Sequence, residues 1–332
     1  MNNLNETAKA LVAPGKGLLA ADESLHTADK RLTEYGIEAG PEMRRQYRNL
    51  FLAASGAEQH LSGVILFEET LGQTADDGTA FPALLKAHGI VPGIKVDKGT
   101  EAMAESQDEL ITNGLIGLAE RLVSYRAQGA RFTKWRAVIR IDGDRLPTNH
   151  ALLENAKRLA SYAHIAQEAG LVPILEPEVL LGGNHSRLRA KEVITETLKA
   201  VFAAVEDQAV DRTAVLVKTA MALSGSESGK KDTPEEVAES TLEALIAAVP
   251  KEVPGIVFLS GGQSADQATD NLRAIALRAK EMDAPWPLTF SYARALQGEA
   301  LALWQGKSEH IAAAQEAFIS RLAKVAAASE GR

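Results

Sequence analysis

Short apolar segments of this chain carry ionisable residues at positions where a buried strand would be expected to be apolar. In chain order these residues are Asp22, Lys95, Asp97, Lys134, Arg136, Glu176, Glu178 and Lys218. Residues spaced by two on a strand project to the same face, so each pair with that spacing presents both charges on one side. An unpaired buried charge is strongly unfavourable, so each residue must form an ion pair, shift its pKa or face a polar cavity. The pattern across five segments favours one shared polar site over separate solvent-facing charges.

Lys218 lies in the most apolar of these sequences, Val215-Leu216-Val217-Lys218-Thr219-Ala220-Met221. Desolvation and nearby cations both lower the pKa of a lysine amine. A neutral amine can attack a ketone or aldehyde to form a Schiff base, and three pH units of pKa depression correspond to about 4 kcal/mol. The alternative is an ion pair with Glu176 or Glu178, which would keep the ammonium charged. The pattern alone does not decide between the two.

Three carboxylates could serve such chemistry as acids, bases or partners of the lysines. Glu176 and Glu178 project the same way, so one could move protons while the other pairs with a lysine. The alternative is that both acids only balance the basic residues. Asp22, at the end of the first apolar segment, could orient a substrate hydroxyl or cap the helix that follows.

Two segments near the end of the chain have features of a phosphate site. Ser260-Gly261-Gly262-Gln263-Ser264 leads into a predicted helix, and successive backbone N–H groups at a helix N-terminus bind anions. In many α/β barrels the phosphate site follows strands 7 and 8, where Ser291 and Arg294 also lie. Arg294 could make a bidentate phosphate contact. The alternative is that the glycine pair forms only a turn.

Other phosphate and metal motifs are not matched. Gly225-Ser226-Glu227-Ser228-Gly229-Lys230-Lys231 resembles a P-loop but has three residues between its glycines and no Ser or Thr after Lys230. The seven histidines show no H-x-H or H-E-x-x-H spacing. The sequence therefore gives little support to a metal hydrolase or a zinc-dependent aldolase.

Composition limits the class of protein. The 332 residues include 36 Lys and Arg against 44 Asp and Glu, and the formal charge of −8 argues against general binding to nucleic acid or membrane surfaces. The absence of cysteine excludes disulfides, thiolate nucleophiles and cysteine-ligated metal centres. The N-terminus has no apolar signal core, and no apolar run reaches the length of a membrane span. A cytoplasmic location is therefore expected.

Eight apolar segments position the ionisable residues, and each is followed by enough chain for a helix. They occupy residues 17–22, 63–67, 91–96, 131–140, 171–178, 213–221, 255–260 and 287–292. Helical spacing follows several of them, over residues 148–169, 237–249, 264–279 and 310–328. Asp232-Thr233-Pro234-Glu235-Glu236 is typical of a helix N-terminus.

Eight strand–helix alternations favour a closed (β/α)8 TIM barrel. We expect one domain over residues 1–332, with barrel strands within about 17–294 and a C-terminal helix at about 308–328. The alternative is a doubly wound open sheet, which would normally carry a glycine fingerprint after its first strand, and no G-x-G-x-x-G occurs. In a barrel, active sites form at the C-terminal ends of the strands, where the ionisable residues would meet.

Taken together, these motifs resemble those of class I fructose-bisphosphate aldolase, a metal-free Schiff-base enzyme. The resemblance extends from about Thr7 to the helix at 310–323. It rests on Ala13-Pro14-Gly15-Lys16-Gly17-Leu18-Leu19-Ala20-Ala21-Asp22-Glu23-Ser24, Gly93-Ile94-Lys95-Val96-Asp97-Lys98-Gly99, Lys134-Trp135-Arg136, Pro173-Ile174-Leu175-Glu176-Pro177-Glu178, Leu259-Ser260-Gly261-Gly262-Gln263-Ser264 and Leu288-Thr289-Phe290-Ser291-Tyr292-Ala293-Arg294-Ala295-Leu296-Gln297.

The resemblance implies reversible cleavage of fructose 1,6-bisphosphate to dihydroxyacetone phosphate and glyceraldehyde 3-phosphate, in glycolysis and gluconeogenesis. It implies no metal or other cofactor, because the intermediate is a covalent Schiff base on Lys218. Glu176 matches the general acid and base, and Asp22 matches the aspartate that orients the reacting hydroxyls. Lys134 matches the lysine that stabilises charged intermediates, with Glu178 as its partner.

The resemblance also assigns the two phosphate groups of the substrate. The residues that match the site next to the ketone carbon are Ser260, Gly261, Gly262, Ser291 and Arg294. Those that match positions near the other phosphate are Ser24, Arg31, Arg44, Lys95 and Arg136. Family members commonly form dimers or tetramers, so a homo-oligomer is expected.

Four departures from the family pattern bear on these expectations. Leu25-His26-Thr27 replaces the usual Thr-Gly-Ser or Thr-Gly-Thr, and Thr219-Ala220-Met221 replaces Pro-Asn-Met. Ala293 stands where a glycine commonly precedes the phosphate arginine. The sequence ends at Arg332 without the tail whose terminal tyrosine assists proton exchange in animal members, so another group is expected to do this or the step to be slower.

Two alternatives to this function remain open from the sequence. The change at Leu25 and His26 allows another ketose bisphosphate, such as a sedoheptulose or tagatose derivative, to be the preferred substrate. A non-catalytic sugar-phosphate-binding protein would retain the pocket without the reaction.

Overall fold

Ten strands occur in residues 4–332, the part of the chain that the computed structural model describes. They are β1 (Gly17–Ala21), β2 (Leu61–Leu66), β3 (Val91–Lys95), β4 (Thr100–Met103), β5 (Ser106–Thr112), β6 (Phe132–Ile139), β7 (Val172–Val179), β8 (Leu216–Thr219), β9 (Ile256–Phe258) and β10 (Leu288–Tyr292). Eight of these pair in parallel as a closed barrel in the order β1-β10-β9-β8-β7-β6-β3-β2. The predicted (β/α)8 barrel is confirmed.

Helices surround this barrel and connect its strands. They are α1 (Leu4–Leu11), α2 (Leu25–Glu34), α3 (Pro41–Leu52), α4 (Glu68–Leu71), α5 (Phe81–Ala87), α6 (Leu118–Ala127), α7 (Asn149–Glu168), α8 (Arg187–Asp207), α9 (Pro234–Ala248), α10 (Ala265–Glu281), α11 (Arg294–Trp304) and α12 (Ile311–Ser329). Thr233 caps α9 in a capping box with Glu236, which satisfies two of the backbone N–H groups at that end of the helix. The four helices predicted from spacing correspond to α7, α9, α10 and α12.

The segment that contains Lys218 forms a shorter strand than its apolar run predicts. Residues Arg212–Ala214 form a 3-10 turn, and the Asp211 side chain accepts a hydrogen bond from the Thr213 N–H. The turn uses the first residues of the run, so β8 begins only at Leu216. Because β8 ends at Thr219, Lys218 lies near the C-terminal end of its strand.

The hydrophobic core has two parts, separated by the sheet. The larger part lies between the outer face of the barrel and the helices. The smaller part fills the N-terminal half of the barrel interior, where Ala8, Leu11 and Val12 at the end of α1 pack against inward-facing strand residues. Those residues are Leu18, Ala20, Ile65, Phe132, Val172, Ile174, Leu216 and Val257. The first helix therefore closes this end of the barrel.

An antiparallel hairpin of β4 and β5, which the sequence did not predict, follows β3 outside the barrel. Its Glu109 accepts hydrogen bonds from the N–H and hydroxyl of Thr148, at 2.7 and 2.8 Å, and Thr148 is the residue that caps α7. The Asn155 side chain of α7 donates to the Leu110 carbonyl at 2.9 Å. The hairpin is thereby attached to α7 next to the C-terminal end of β6. Within residues 4–332, no helix has the length and apolar character needed to cross a membrane.

Candidate active site

The inward faces of the strands change from apolar to ionisable toward their C-terminal ends. On β8, Leu216 belongs to the interior core, and Lys218 lies two residues further on. On β6, Lys134 likewise follows Phe132 on the same face. The expected period of two thus brings ionisable residues of several strands to one end of the barrel, which we call the mouth.

Four oppositely charged side chains form a compact cluster at the mouth. Lys134 Nζ lies 2.7 Å from Asp22 Oδ2 and 3.1 Å from Glu176 Oε2. Lys218 Nζ lies 3.0 Å from Glu176 Oε1. Lys218 is only 4% exposed, so it faces neither bulk water nor the helical shell. Of the two possibilities left open by the sequence, the structure has Lys218 paired with a carboxylate, and that carboxylate is Glu176.

The electrostatics of this cluster keep its acids ionised. Burial alone would raise the pKa of Asp22, but the Lys134 and Lys218 cations outweigh it and lower the pKa from 3.8 to about 2. Burial also opposes ionisation of Glu176, and the same two lysines together with Arg136 lower its pKa. Burial would lower the pKa of Lys134, yet the nearby Asp22 and Glu176 carboxylates raise it. Lys134 therefore remains a fixed cation between two carboxylates.

The expected pair of Lys134 with Glu178 is wrong. Glu178 Oε2 accepts a hydrogen bond from Arg136 Nε, and the two carboxylates that contact Lys134 are Asp22 and Glu176. Strand register is the reason. In the β6–β7 register, Lys134 is paired with Ile174 and Arg136 is paired with Glu176. Glu176 therefore lies two residues closer to the mouth than the partner of Lys134. Glu178 lies two residues closer to the mouth than the partner of Arg136.

These residues line a cavity of about 720 Å³ that is open at the mouth. All but one of the site residues predicted from the sequence line it: Asp22, Ser24, Arg31, Lys95, Lys134, Arg136, Glu176, Glu178, Lys218, Ser260, Gly261, Gly262, Ser291 and Arg294. Arg44 is the exception. It lies on α3 and pairs with Asp29 at 2.8 Å and with Glu69 at 2.7 Å. The structure thus does not bring Arg44 to the site, contrary to expectation.

One side of the cavity is formed by β9, β10 and their loops. Gly261 and Gly262 line the cavity and have φ of +52° and +92°, a backbone conformation that favours glycine. The Ser291 hydroxyl is buried in the lining and has no hydrogen-bond partner among residues 4–332. Ala293, the departure from the family glycine, has φ of −109°, outside the left-handed region that favours glycine. Arg294 begins α11 beside these groups.

The segment after β1, the strand that neighbours β10 in the barrel, includes a lining residue that the sequence analysis missed. Ser24 caps α2 by accepting a hydrogen bond from the Thr27 N–H, and the Ser24 and Thr27 hydroxyls are 3.0 Å apart. Both residues line the cavity, whereas the altered Leu25 and His26 do not. The helix cap and its two hydroxyls are therefore intact despite the departure. The i, i+3 spacing of a capping serine and a threonine was the signal that could have identified Thr27.

Asp97 is a second lining residue that was not assigned to the site. Its carboxylate pairs with Lys95 and accepts hydrogen bonds from the N–H groups of Gly99 and Arg136, at 3.2 and 3.3 Å. Asp97 therefore fixes the Lys95 ammonium and joins the ends of β3 and β6. Its spacing of two from Lys95, on a strand already read as inward-facing, was the available signal.

Comparisons with known proteins identify the family. The family model described as fructose-bisphosphate aldolase class-I matches residues 3–332. A fructose-bisphosphate aldolase of Drosophila melanogaster is 47% identical over 332 residues, which are 100% of this chain and 91% of that relative. A probable class 1 enzyme of Xanthomonas axonopodis pv. citri is 44% identical over 333 residues, covering 100% and 98% of the two chains.

A solved structure gives the same result for the fold and the sequence together. The fructose-bisphosphate aldolase of Plasmodium falciparum, determined in complex with TRAP and a small-molecule inhibitor, superposes with a TM-score of 0.96 at 43% identity. The match covers 99% of this chain and 94% of the other. The motifs at the mouth, the closed barrel and these relatives agree, and the chain belongs to the class I fructose-bisphosphate aldolase family.

Proposed function

We propose that this class I fructose-bisphosphate aldolase cleaves its substrate through a Schiff base on Lys218, giving dihydroxyacetone phosphate and glyceraldehyde 3-phosphate reversibly. The observation that carries the proposal is the 3.0 Å contact between Lys218 Nζ and Glu176 Oε1 inside a largely enclosed cluster. An amine in contact with a carboxylate has a proton acceptor already in place. Consistent with class I membership, the electron sink is the iminium ion rather than a metal.

The first chemical step is formation of the iminium. A proton passes from the Lys218 ammonium to Glu176, and the neutral amine attacks the ketone carbon. A second proton moves from the attacking nitrogen to the former carbonyl oxygen, which gives the carbinolamine. Glu176, now protonated, returns the proton to the carbinolamine hydroxyl, which leaves as water. Because Lys134, Lys218 and Arg136 lower the pKa of Glu176, the residue holds this proton only transiently and returns to the anion after the step.

Carbon–carbon cleavage is the second step. The Glu176 carboxylate removes the C4 hydroxyl proton, the C3–C4 bond breaks, and its electron pair enters the iminium to form an enamine. The aldehyde leaves as glyceraldehyde 3-phosphate. Protonation of the enamine at C3 and hydrolysis of the imine then release dihydroxyacetone phosphate and regenerate Lys218.

Lys134 and Asp22 support both steps without forming covalent bonds. Lys134 contacts both Asp22 and Glu176, so its ammonium fixes their orientation and stabilises negative charge that develops on the reacting oxygens. Asp22 remains ionised at neutral pH and accepts hydrogen bonds from substrate hydroxyls. Because these groups are already held by ion pairs, little reorganisation is needed when the substrate enters.

The two ends of the cavity bind the two phosphate groups. We assign Ser260, Gly261, Gly262, Ser291 and Arg294 to the phosphate next to the ketone carbon. Ser24, Arg31, Lys95 and Arg136 are assigned to the other phosphate, and Thr27 joins them because its hydroxyl contacts Ser24. Local cations bind an anionic substrate in this way even though the chain carries a formal charge of −8.

We also propose that the enzyme acts in the cytoplasm as a homodimer or homotetramer of single-domain subunits. A spinach relative, 48% identical over 320 residues, is named a cytoplasmic isozyme. Light scattering of the purified protein tests the subunit number, and a monomer at micromolar concentration would contradict it.

Borohydride trapping tests the central proposal. Reduction in the presence of dihydroxyacetone phosphate should inactivate the enzyme and leave a stable adduct that peptide mapping assigns to Lys218, while EDTA should leave cleavage intact. Reduction without the ketone is the matched control and should give no adduct. An adduct on another lysine, or none, would overturn the mechanism.

The same preparation distinguishes the alternatives raised by the sequence, neither of which the family comparison favours. Higher kcat/KM for fructose 1,6-bisphosphate than for sedoheptulose or tagatose bisphosphates is expected. Cleavage in a coupled assay excludes a binding protein without catalysis.

A further inference from the structure

Glu23, the neighbour of Asp22, belongs to a second buried group of side chains on the other face of the chain. We call this group the Glu23 cluster, and its members are Glu23, Arg31, Tyr47, Arg48 and Gln297. Adjacent residues of an extended segment project in opposite directions. Asp22 therefore pairs with Lys134 at the mouth, whereas Glu23, which also lines the cavity, extends to Arg31 of α2 and to Tyr47 and Arg48 of α3.

Two arginines share the Glu23 carboxylate. Arg48 NH1 donates to Oε2, while Arg48 NH2 donates to the Glu23 backbone carbonyl at 3.1 Å. Arg31 NH1 donates to Oε1. The side chains of Glu23 and Arg48 are 6% and 3% exposed, so these hydrogen bonds are screened little by solvent. Arg48 thus binds both the side chain and the backbone of Glu23.

Arg31 has two further partners within the Glu23 cluster. Its NH1 lies 2.7 Å from Gln297 Oε1 and 3.2 Å from the Tyr47 hydroxyl. The Tyr47 hydroxyl in turn lies 3.1 Å from both Gln297 Oε1 and Glu23 Oε1. One nitrogen of the guanidinium is therefore fixed by three acceptors, and its Nε and NH2 have no hydrogen-bond partner within residues 4–332. Arg31 also lines the cavity, so these free donors are available to an anion there.

The Glu23 cluster joins two parts of the site that are far apart in sequence. Glu23 stands between Asp22 and Ser24 on the segment that connects β1 to α2. Gln297 lies in the first turn of α11, which begins at Arg294. The hydrogen bond from Arg31 to Gln297 consequently ties one phosphate-binding side of the cavity to the other.

We propose that Arg48 and Gln297 are positioning residues that fix Arg31 and the β1–α2 segment relative to α11, and so set the separation at which the two phosphates of the substrate bind. Neither residue lines the cavity, so both act through Arg31 and Glu23. This inference rests on the proposed function, because it uses the assignment of Arg31 to the phosphate remote from the ketone. Under this proposal, the preference for a substrate with two phosphates over one with a single phosphate depends on residues that do not line the cavity.

The test compares a ligand with two phosphates and a ligand with one. Fructose 1,6-bisphosphate is followed by kcat/KM for cleavage. Dihydroxyacetone phosphate carries only the phosphate next to the ketone, and it is followed by the concentration that gives half-maximal borohydride inactivation at Lys218. Arg48→Met and Gln297→Met should lower kcat/KM about 10- to 100-fold, the factor expected from losing a hydrogen bond to a charged group. The half-maximal concentration of dihydroxyacetone phosphate should change less than about twofold.

Two further variants separate positioning from general damage. Arg48→Lys keeps the charge but not the two-pronged contact, so its loss of kcat/KM should be smaller than that of Arg48→Met. Arg44→Met is the matched control, because Arg44 lies on the same helix and also pairs with two carboxylates, yet does not line the cavity. The Arg44→Met variant should leave unchanged the ratio between kcat/KM for fructose 1,6-bisphosphate and the half-maximal concentration of dihydroxyacetone phosphate. If Arg48→Met does not fold, Gln297→Met tests the positioning role by itself, because this substitution removes no buried charge.

The outcomes distinguish this inference from the proposed function. Equal effects on both ligands, or no effect in folded variants, would overturn the positioning role and leave the Schiff-base mechanism standing. Failure of the wild-type enzyme to form the Lys218 adduct would overturn both.

Discussion

The two ends of the barrel interior are built on the same strands and have opposite chemistry. At the N-terminal end, Leu216 and Phe132 are fully buried and pack with Leu11 of α1. At the mouth, two residues further along the same faces, Lys218 and Lys134 take part in ion pairs. The comparison shows that two properties of a strand residue decide its role: the face to which its side chain points and its position along the strand.

The difference between the two ends is also energetic. Burying apolar side chains at the closed end stabilises the fold by about 25 cal/mol for each Å² removed from water. The buried ion pairs of the mouth must first offset the cost of desolvation, so they add little net stability. Variants at the mouth should therefore act mainly on activity, and variants at the closed end should act mainly on stability.

The largest expected effect is that of Lys218→Met. Cleavage should fall to the assay background and the borohydride adduct should disappear, because no other amine replaces Nζ. The free energy of unfolding should fall by less than the loss of about 3–5 kcal/mol expected for a fully broken buried ion pair, because Glu176 loses Lys218 but keeps its contact with Lys134. Coupled-assay kinetics and denaturant unfolding measure the two quantities. The control is Leu216→Met, on the same face of β8, which should retain activity at a cost below about 1.5 kcal/mol in stability.

Glu176→Gln should come next. Glutamine retains the shape of the side chain but cannot accept a proton, so kcat should fall by about 10²- to 10⁴-fold. Glu178→Gln, two residues further along β7, is the matched comparison. Its partner is Arg136, and it should lower kcat less. Equal losses in the two variants would contradict the assignment of proton transfer to Glu176.

At the closed end, Phe132→Ala should lower the free energy of unfolding by about 3–5 kcal/mol, because it leaves a cavity in a fully packed interior. The folded variant should still form the Lys218 adduct. Urea or guanidinium unfolding gives the stability, and trapping below the unfolding transition gives the activity. Loss of the adduct with unchanged stability would break the division between the two ends.

The smallest expected effect concerns acid stability. The pKa of Asp22 is lowered from 3.8 to about 2 by Lys134 and Lys218, against the opposing effect of burial. The unfolded chain therefore binds more protons between these values, and stability falls as the pH decreases from about 4 to 2, by about 2 kcal/mol for this group. Unfolding at several pH values should show this component in the wild-type protein. In Asp22→Asn it should be absent, and its persistence there would assign it to other carboxylates.

The main elements could be predicted because their signals are local. Continuous apolar runs marked the eight barrel strands, and the Thr233 cap with its following acids marked the start of α9. The β4–β5 hairpin has no such signal, since residues 100–102 are exposed and β5 contacts β6 and α7, which come later in the chain. Such contacts between distant segments are not visible in the local sequence.

The partners of the charged residues were harder to predict than their presence. Spacing indicated that Glu176 and Glu178 share a face, but only the β6–β7 register shows which of them meets Lys134. Arg44 matched a family position, yet the docking of α3 brings it to Asp29 and Glu69. In the same helix, Arg48 carried no signal in the sequence, although its contacts with Glu23 lie beside the mouth.

The sequence by itself determined that five apolar segments each carry ionisable residues on one face and toward the C-terminal end, and therefore that the charges gather at one end of a barrel. The reason is that backbone geometry alone makes successive side chains of a strand point to opposite faces, so every second residue shares a face. The tertiary structure alone decided which acid contacts which cation, that Glu23 pairs with Arg31 and Arg48 while its neighbour Asp22 pairs with Lys134, and how far apart the two sides of the cavity lie. These depend on the register of neighbouring strands and on the docking of α3 and α11, which bring together groups distant in the chain at separations of a few ångströms.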